Sequence, residues 1–355
     1  MRECLAVRSA CATAVDRGSS ARLASGPVTS SSIDIVAIGD AIVDVIATCD
    51  DAFIQQHGLP KGGMQLLDTA QADRLYAAMG PAREISGGSA ANSMAGAAAL
   101  GLDAAFVGQV ADDQLGAIFA HDMRSLGVRF ETPALQSPPP TGRCLILVTP
   151  DAQRTMNTCA GASHELTSAS LDAELIRSAQ VTFLEGYLWG PERPRAAMLD
   201  AARIAHDAGR TVAFTLSESL CIGDRRHGVL GMIQSNAVDV LFGNEHEIRH
   251  LTGCEALPDC IAALTRHVST LVITRGAEGS VAVESGQSVE IGAAPVERVV
   301  DTTGAGDLFA AGFLAGRCRG LDLGGCLHTG AIAAAEVISH FGARPEADLK
   351  ALASL

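Results

Sequence analysis

Asp301-Thr302-Thr303-Gly304-Ala305-Gly306-Asp307 is a glycine-bearing loop that runs directly into the apolar stretch Leu308-Phe309-Ala310-Ala311-Gly312-Phe313-Leu314. Gly304 and Gly306 permit unusual backbone angles and a side-chain-free approach, so consecutive N–H groups around Ala305 can point at one anion while a helix dipole adds positive potential. Such a loop cradles phosphate. Asp307, at the helix start beside the developing charge, is placed to take a proton from an attacking hydroxyl. Gly-Ala-Gly-Asp alone would equally suit a turn with Asp as helix cap. Near the other end of the chain, Asp40 and Asp44 follow the first apolar run, two carboxylates that can bracket a vicinal diol.

The elements that must position these residues can be read from pattern. Ile33 to Ile38 is a short β-branched run closed by Gly39, as in a buried strand, and similar runs recur at 104–107, 181–184, 211–214, 238–242 and 271–274. Helical spacing of apolar residues covers 90–100, 112–126, 194–208, 244–251, 261–267, 307–317 and 323–340. Alternating strand and helix predicts an α/β fold, a doubly wound, mostly parallel sheet with helices on both faces. Two stretches, roughly 45–85 and 130–163, break the alternation and suggest a small β-rich lobe assembled from both. Residues 1–32, rich in Ser, Ala and Arg, read as a disordered extension ahead of a domain spanning 33–355.

Composition excludes several classes. The chain carries 26 basic and 40 acidic residues, a net charge of −14, with no basic stripe to engage nucleic acid or an acidic membrane. No apolar run reaches the ~20 residues that span a bilayer. The ten cysteines show neither Cys-x-x-Cys pairs nor matched His spacing, which fits a reducing cytoplasm better than a disulfide framework or zinc site. An anionic ligand must therefore be held locally, against the sign of the whole protein.

Asp301 to Asp307 continuing into an Ala/Gly/Phe helix closely resembles the second signature of the ribokinase (phosphofructokinase-B) family. The resemblance runs from about Ile33 to Pro345 and implies a ribokinase-like α/β domain with a small β-rich lid. It also implies phosphotransfer from ATP, with Mg2+, to an alcohol group, Asp307 being the base and Gly304, Ala305 and Gly306 the anion hole, with Thr303 on the nucleotide side. Gly87-Gly88-Ser89-Ala90-Ala91-Asn92 is similar to the first signature, in which Gly87, Gly88 and Asn92 would contact substrate hydroxyls, and Asp44 matches an acidic position that holds sugar hydroxyls. Asn244-Glu245-His246-Glu247 matches the Asn-x-x-Glu motif tied to magnesium and phosphate, Glu247 acting through water. Thr274-Arg275-Gly276-Ala277-Glu278-Gly279 matches the loop along the nucleotide phosphates. Neither a Gly-x-x-x-x-Gly-Lys-Ser/Thr sequence nor a protein-kinase catalytic loop occurs in the chain.

Sugars and nucleosides both use this scaffold. Lys61-Gly62-Gly63-Met64, Arg154-Thr155-Met156-Asn157-Thr158 and Phe183-Leu184-Glu185-Gly186-Tyr187-Leu188-Trp189 look like segments of bacterial proteins of the adenosine kinase group. The resemblance implies that Arg154 reaches the transferred phosphate when the lid closes, and that Glu185 belongs to the substrate side. Tyr187, one of two tyrosines in the chain, can stack on a purine, and Met156 can touch the base edge; core or lid packing is the alternative for both, and for Trp189. Cys159 and Gly190 depart from the pattern of that group. The expected acceptor is thus the 5′-hydroxyl of a purine nucleoside, adenosine foremost, with a sugar such as ribose or fructose as the alternative. Some family members hold a monovalent cation such as K+ between the Asp301 loop and the segment matching His340-Phe341-Gly342-Ala343, and both monomers and homodimers fit the sequence.

Overall fold

Strands covered on both faces need apolar side chains at odd and even positions alike. In the computed structural model, which describes residues 33–217 and 225–355, such strands make the central sheet. The expected N-terminal extension lies outside the described residues. In chain order the strands are β1 (Ile33–Ile38), β2 (Ile42–Thr48), β3 (Met64–Leu66), β4 (Arg83–Gly87), β5 (Ala104–Val107), β6 (Val128–Arg129) and β7 (Gly142–Val148). They continue with β8 (Arg154–Cys159), β9 (Ala179–Glu185), β10 (Thr211–Thr215), β11 (Val240–Asn244), β12 (Thr270–Thr274), β13 (Ser280–Glu284) and β14 (Gln287–Ile291).

Nine strands form the large sheet in the order β14-β13-β12-β11-β10-β9-β1-β5-β6. Its pairings are parallel except β12 with β13 and β13 with β14. Along β1, Ile35 and Ala37 join one buried cluster and Val36 and Ile38 the other. The first cluster takes in helices Ser89–Ala99, Ala305–Cys318 and Leu323–Val337; the second takes in Glu192–Asp207, Arg226–Gln234, Glu245–Thr252 and Leu257–Leu264. The glycine and alanine content of the first set has a packing reason. A Cβ on Gly312 would lie 2.5 Å from the Thr329 carbonyl oxygen and 2.8 Å from the Gly330 Cα, so helices Ala305–Cys318 and Leu323–Val337 meet backbone to backbone.

β1 lies between β9 and β5, so the chain leaves it toward one side of the sheet and later returns on the other. Such a reversal opens a crevice at the carboxyl ends of the strands. Asp40 follows β1, and Glu185 closes β9.

The second sheet runs β3-β8-β7-β2-β4. It draws on both stretches that broke the alternation, but β2 starts at Ile42, ahead of the expected boundary, and helices Asp51–Gln56 and Thr69–Ala78 intervene. Val43, Val45, Leu145 and Leu147 pack with Ile54, Ala72 and Leu75 of those helices. Opposite side chains point the other way. Asp44 pairs in register with Cys144, which pairs with Thr158; Ile46 pairs with Ile146, which pairs with Met156. Ile42, Ile46, Cys144, Ile146, Val148 and Met156 form a small apolar cluster on that face.

Candidate functional site

The loop after β1, the turn after β4 and the start of helix Ala305–Cys318 converge at the crevice. The helix begins at Gly304, whose φ of +79° lies in the left-handed region and whose Cβ position would be 2.7 Å from the Ala343 Cβ. Glycine is required there. Gly306 differs from expectation: its φ is not left-handed, and a Cβ on it would meet nothing within 4 Å. No side chain caps this helix; the Ala305 amide donates to the Thr302 carbonyl at 3.2 Å, and a helix N-terminus without a side-chain cap can receive an anion.

Asp307, in that first turn, is held from both sides. Ser89 Oγ donates to Oδ1 at 2.6 Å and Asn92 Nδ2 donates to Oδ2 at 2.9 Å. Burial pushes the Asp307 carboxyl above the ordinary range, while these two bonds and the charge of Arg344 pull it back. Asp44 projects from β2 toward the same space and is pushed up to about 6 by burial, against Arg344 and Arg154 and with Asp307 adding to the rise. A Cβ on Gly87 would come within 2.5 Å of the Asp44 carboxyl carbon, so that glycine leaves the room the carboxylate occupies. Gly88, at φ +93°, packs its α-carbon against the Asp40 carbonyl.

Asp40 and Glu185 are both buried, at 5% and 0% exposure. One Glu185 oxygen, Oε2, accepts the amides of Asp40 at 3.2 Å and Ala90 at 3.0 Å; the other is buried without a partner. Burial and then the neighbouring Asp40 raise the Glu185 carboxyl well above its usual range. Burial likewise raises Asp40, against His164 and the 2.7 Å bond from Ser163 Oγ. Glu185 therefore ties the loop after β1 to the helix that carries Ser89 and Asn92. Glu185, expected on the substrate side, is thus buried, with one carboxylate oxygen engaged by these two amides.

Arg154, at the start of β8, forms an ion pair with Asp301. Asp301 also accepts from the Gly342 amide at 3.0 Å and from Thr303 through N–H and Oγ at 3.0 and 2.7 Å. Burial opposes ionisation of Asp301, but these bonds together hold it below the usual range. With both carboxylate oxygens engaged, a monovalent cation between this loop and His340–Ala343 would compete with Arg154.

A second group gathers farther along the same sheet edge, where Asn244 and Thr274 are in register at the ends of β11 and β12. Asn244 and Glu247 make a reciprocal cap: the Asn244 side chain accepts the Glu247 amide and Glu247 Oε2 accepts the Asn244 amide, each at 2.8 Å. Glu247 is only 5% exposed. Thr274 to Gly279 is the hairpin between β12 and β13, with Gly276 and Gly279 at φ +57° and +94°. Arg275 is surrounded by carboxylates, pairing with Glu290, with Glu278 at 2.6 Å and with Glu245 at 3.8 Å. Among the described residues no cluster of three or more His, Cys, Asp or Glu could hold a metal ion.

Tyr187 is half-buried in the turn Gly186–Trp189, while Trp189 is core, its ring 6.3 Å from Phe214 and nearly perpendicular to it. Met156 shares the Asp44 face of the second sheet. Sequence reasoning missed Ser89 and Arg344. Ser89 sat inside a quoted motif and could have been noticed as a hydroxyl beside Asn92. Arg344 carried no periodic or spacing signal.

The family model described as "pfkB family carbohydrate kinase" matches residues 32–349. The structure is similar to that of the adenosine kinase from Sinorhizobium meliloti, at 46% identity and a TM-score of 0.84, over 91% of this chain and 98% of that one. A probable sugar kinase protein from Rhizobium etli CFN 42 is alike at 42% identity and a TM-score of 0.85, with 91% and 98% covered. An ATP-dependent ribose-1-phosphate kinase of Halopiger xanaduensis is 34% identical over 258 residues, 70% of this chain and 80% of that protein.

Proposed function

The chain belongs to the pfkB family of carbohydrate kinases, and we propose that within it this kinase transfers the γ-phosphoryl group of ATP to the 5′-hydroxyl of a purine nucleoside, adenosine before others. The observation that carries transfer is Asp307. Its carboxylate is fixed by Ser89 and Asn92 in the first turn of an uncapped helix, beside the open space at Gly306. A hydroxyl brought there meets a proton acceptor and a set of aligned amides together. Asp307 would take the hydroxyl proton as the oxygen attacks phosphorus, and the amides of Gly304 to Gly306 would hold equatorial oxygens. Bound Mg2+ would supply charge neutralisation on the donor phosphates, with Glu247 placed to act through water.

Asp44 would hold the ribose hydroxyls, with Gly87, Gly88 and Asn92 beside it, and Arg154 would leave Asp301 for the transferred phosphate. In this reading the second sheet is the lid that excludes water. Its inward face favours a nucleoside: around Asp44 it offers Ile42, Ile46, Cys144, Ile146, Val148 and Met156. A free sugar presents hydroxyls all round and would leave them against apolar side chains, whereas a purine would bury its ring there. The likeness to the Sinorhizobium meliloti enzyme supports the same choice.

Coupled ADP release across adenosine, inosine, guanosine, ribose and fructose tests the proposal. Adenosine should give the highest kcat/KM. Turnover of ribose or fructose with none of the three nucleosides would sink the nucleoside reading and leave the sugar kinase.

A further inference from the structure

Arg344 follows the segment that packs on the phosphate loop. Ala343 lies against Gly304, and the Gly342 amide donates to Asp301. The guanidinium then reaches the opposite wall of the crevice. Its Nη1 donates to the Ala91 carbonyl at 2.8 Å, and its Nη2 donates to the Ser86 carbonyl at 2.8 Å and to Ser86 Oγ at 3.0 Å. Ser86 precedes Gly87 and Gly88, and Ala91 lies between Ser89 and Asn92. One side chain thus grips both ends of the turn that presents the two donors to Asp307.

We propose that Arg344 is a positioning residue for phosphoryl transfer, clamping the Ser86–Asn92 turn and supplying the positive charge that lets Asp44 and Asp307 remain carboxylates in a closed crevice. The inference rests on the kinase reading of this site. Its charge acts on Asp44, Asp307 and Asp122; burial brings Arg344 itself down to about 10, which leaves it charged at neutral pH. Asp122 Oδ2 accepts the Ser86 amide at 2.9 Å, so the third acid of the group is tied to the same turn. The other groups facing the two carboxylates are Arg154 on β8, which is paired with Asp301, Cys144 on β7 and Glu185 at the end of β9. Arg154 sits on the second sheet and has a competing partner. Arg344 is the cation hydrogen-bonded to the Ser86–Asn92 turn itself.

The test uses the full chain, Arg344→Gln and Arg344→Lys, reading the pH profile of kcat/KM and an infrared titration of the carboxyl band that disappears in Asp44→Asn. In Arg344→Gln the acid limb should move to higher pH by about one unit, the band should titrate higher by a similar amount, and kcat/KM at pH 7 should fall about tenfold or more. Arg344→Lys keeps the charge and loses the fork, so its acid limb and band should stay at the parent's pH while kcat/KM falls. A folded Arg344→Gln protein with the parent's limb and band overturns the proposal. If that variant does not fold, Arg344→Lys decides on the clamp: kcat/KM lowered about tenfold with titration at the parent's pH supports the proposal, and the parent's kcat/KM overturns it. The infrared arm needs no turnover. A parent protein that transfers nothing would therefore defeat the kinase reading while this result still stood or fell by itself.

Discussion

Gly306→Ala separates a packing glycine from one kept clear for a ligand. Gly306 is the second residue of helix Ala305–Cys318; its backbone is not left-handed, and an added Cβ would meet no protein atom within 4 Å. Alanine is the better helix former by about 0.5–1 kcal/mol in a helix interior, and less near an end. The variant should therefore melt at the parent's temperature or about 1–2 °C above it. The methyl group would project into the space assigned to the phosphoryl oxygens, and misplacing a reacting group by about 1 Å costs on the order of 100-fold in rate. Scanning calorimetry and coupled ADP release on the same preparation check both halves. Gly304→Ala is the control with the opposite signature: φ +79° and the 2.7 Å approach to Ala343 should cost about 1–3 kcal/mol of stability. A Gly306→Ala protein with unchanged Tm and the parent's kcat/KM would refute the phosphate cradle.

Asp307→Asn should keep the fold and lower kcat by orders of magnitude with little change in nucleoside affinity, measured by single-turnover transfer and calorimetric binding. Asp44→Asn tests linkage. A carboxyl raised to about 6 in the folded state, against about 3.9 unfolded, contributes stability that is full below pH 4 and lost as pH rises through 6. The variant should thus lack that decline in urea melts between pH 4 and 7, and should raise the KM for the acceptor. Asn244→Ala removes one partner of the reciprocal cap and should cost about 1 kcal/mol in urea unfolding; a large fall in kcat at full stability would instead place Asn244 at the nucleotide. Gly39→Ala would drive a methyl into the Glu185 carboxylate and Ala90, so reduced soluble yield and an early urea transition are expected, and a parent-like melt would show that Glu185 can move.

The motifs were legible because each is short and its backbone behaviour is local. Unbroken apolar runs announced β1, β5, β9, β10, β11 and β12 of the large sheet to within a few residues but not β6, β13 or β14, and helical periodicity announced Ser89–Ala99, Gln114–Ser125, Glu192–Asp207 and Ala305–Cys318. Short helices such as Asp51–Gln56 and Ala173–Ser178 were missed, since six residues hold too few turns to show a period. Helix Leu257–Leu264 begins earlier than the periodicity suggested, with a proline in its first turn. Of the scarce aromatics the sequence favoured Tyr187 over Trp189 for contact with a base, and in the structure Trp189 packs against Phe214 in the core.

By itself the amino-acid order determined the class of fold, the glycine loop that leads to Asp307 and the acids near β1, because glycine placement and apolar spacing act over a few residues. Tertiary structure decided what those groups meet. Ser89 and Asn92 reach Asp307 across more than two hundred residues, Arg154 finds Asp301, Glu185 turns inward to two amides, and Arg344 comes from the far end of the chain to face Asp44. Burial and through-space charge set the proton affinity of each carboxylate, and neither quantity exists until the sheet has brought distant segments to one crevice.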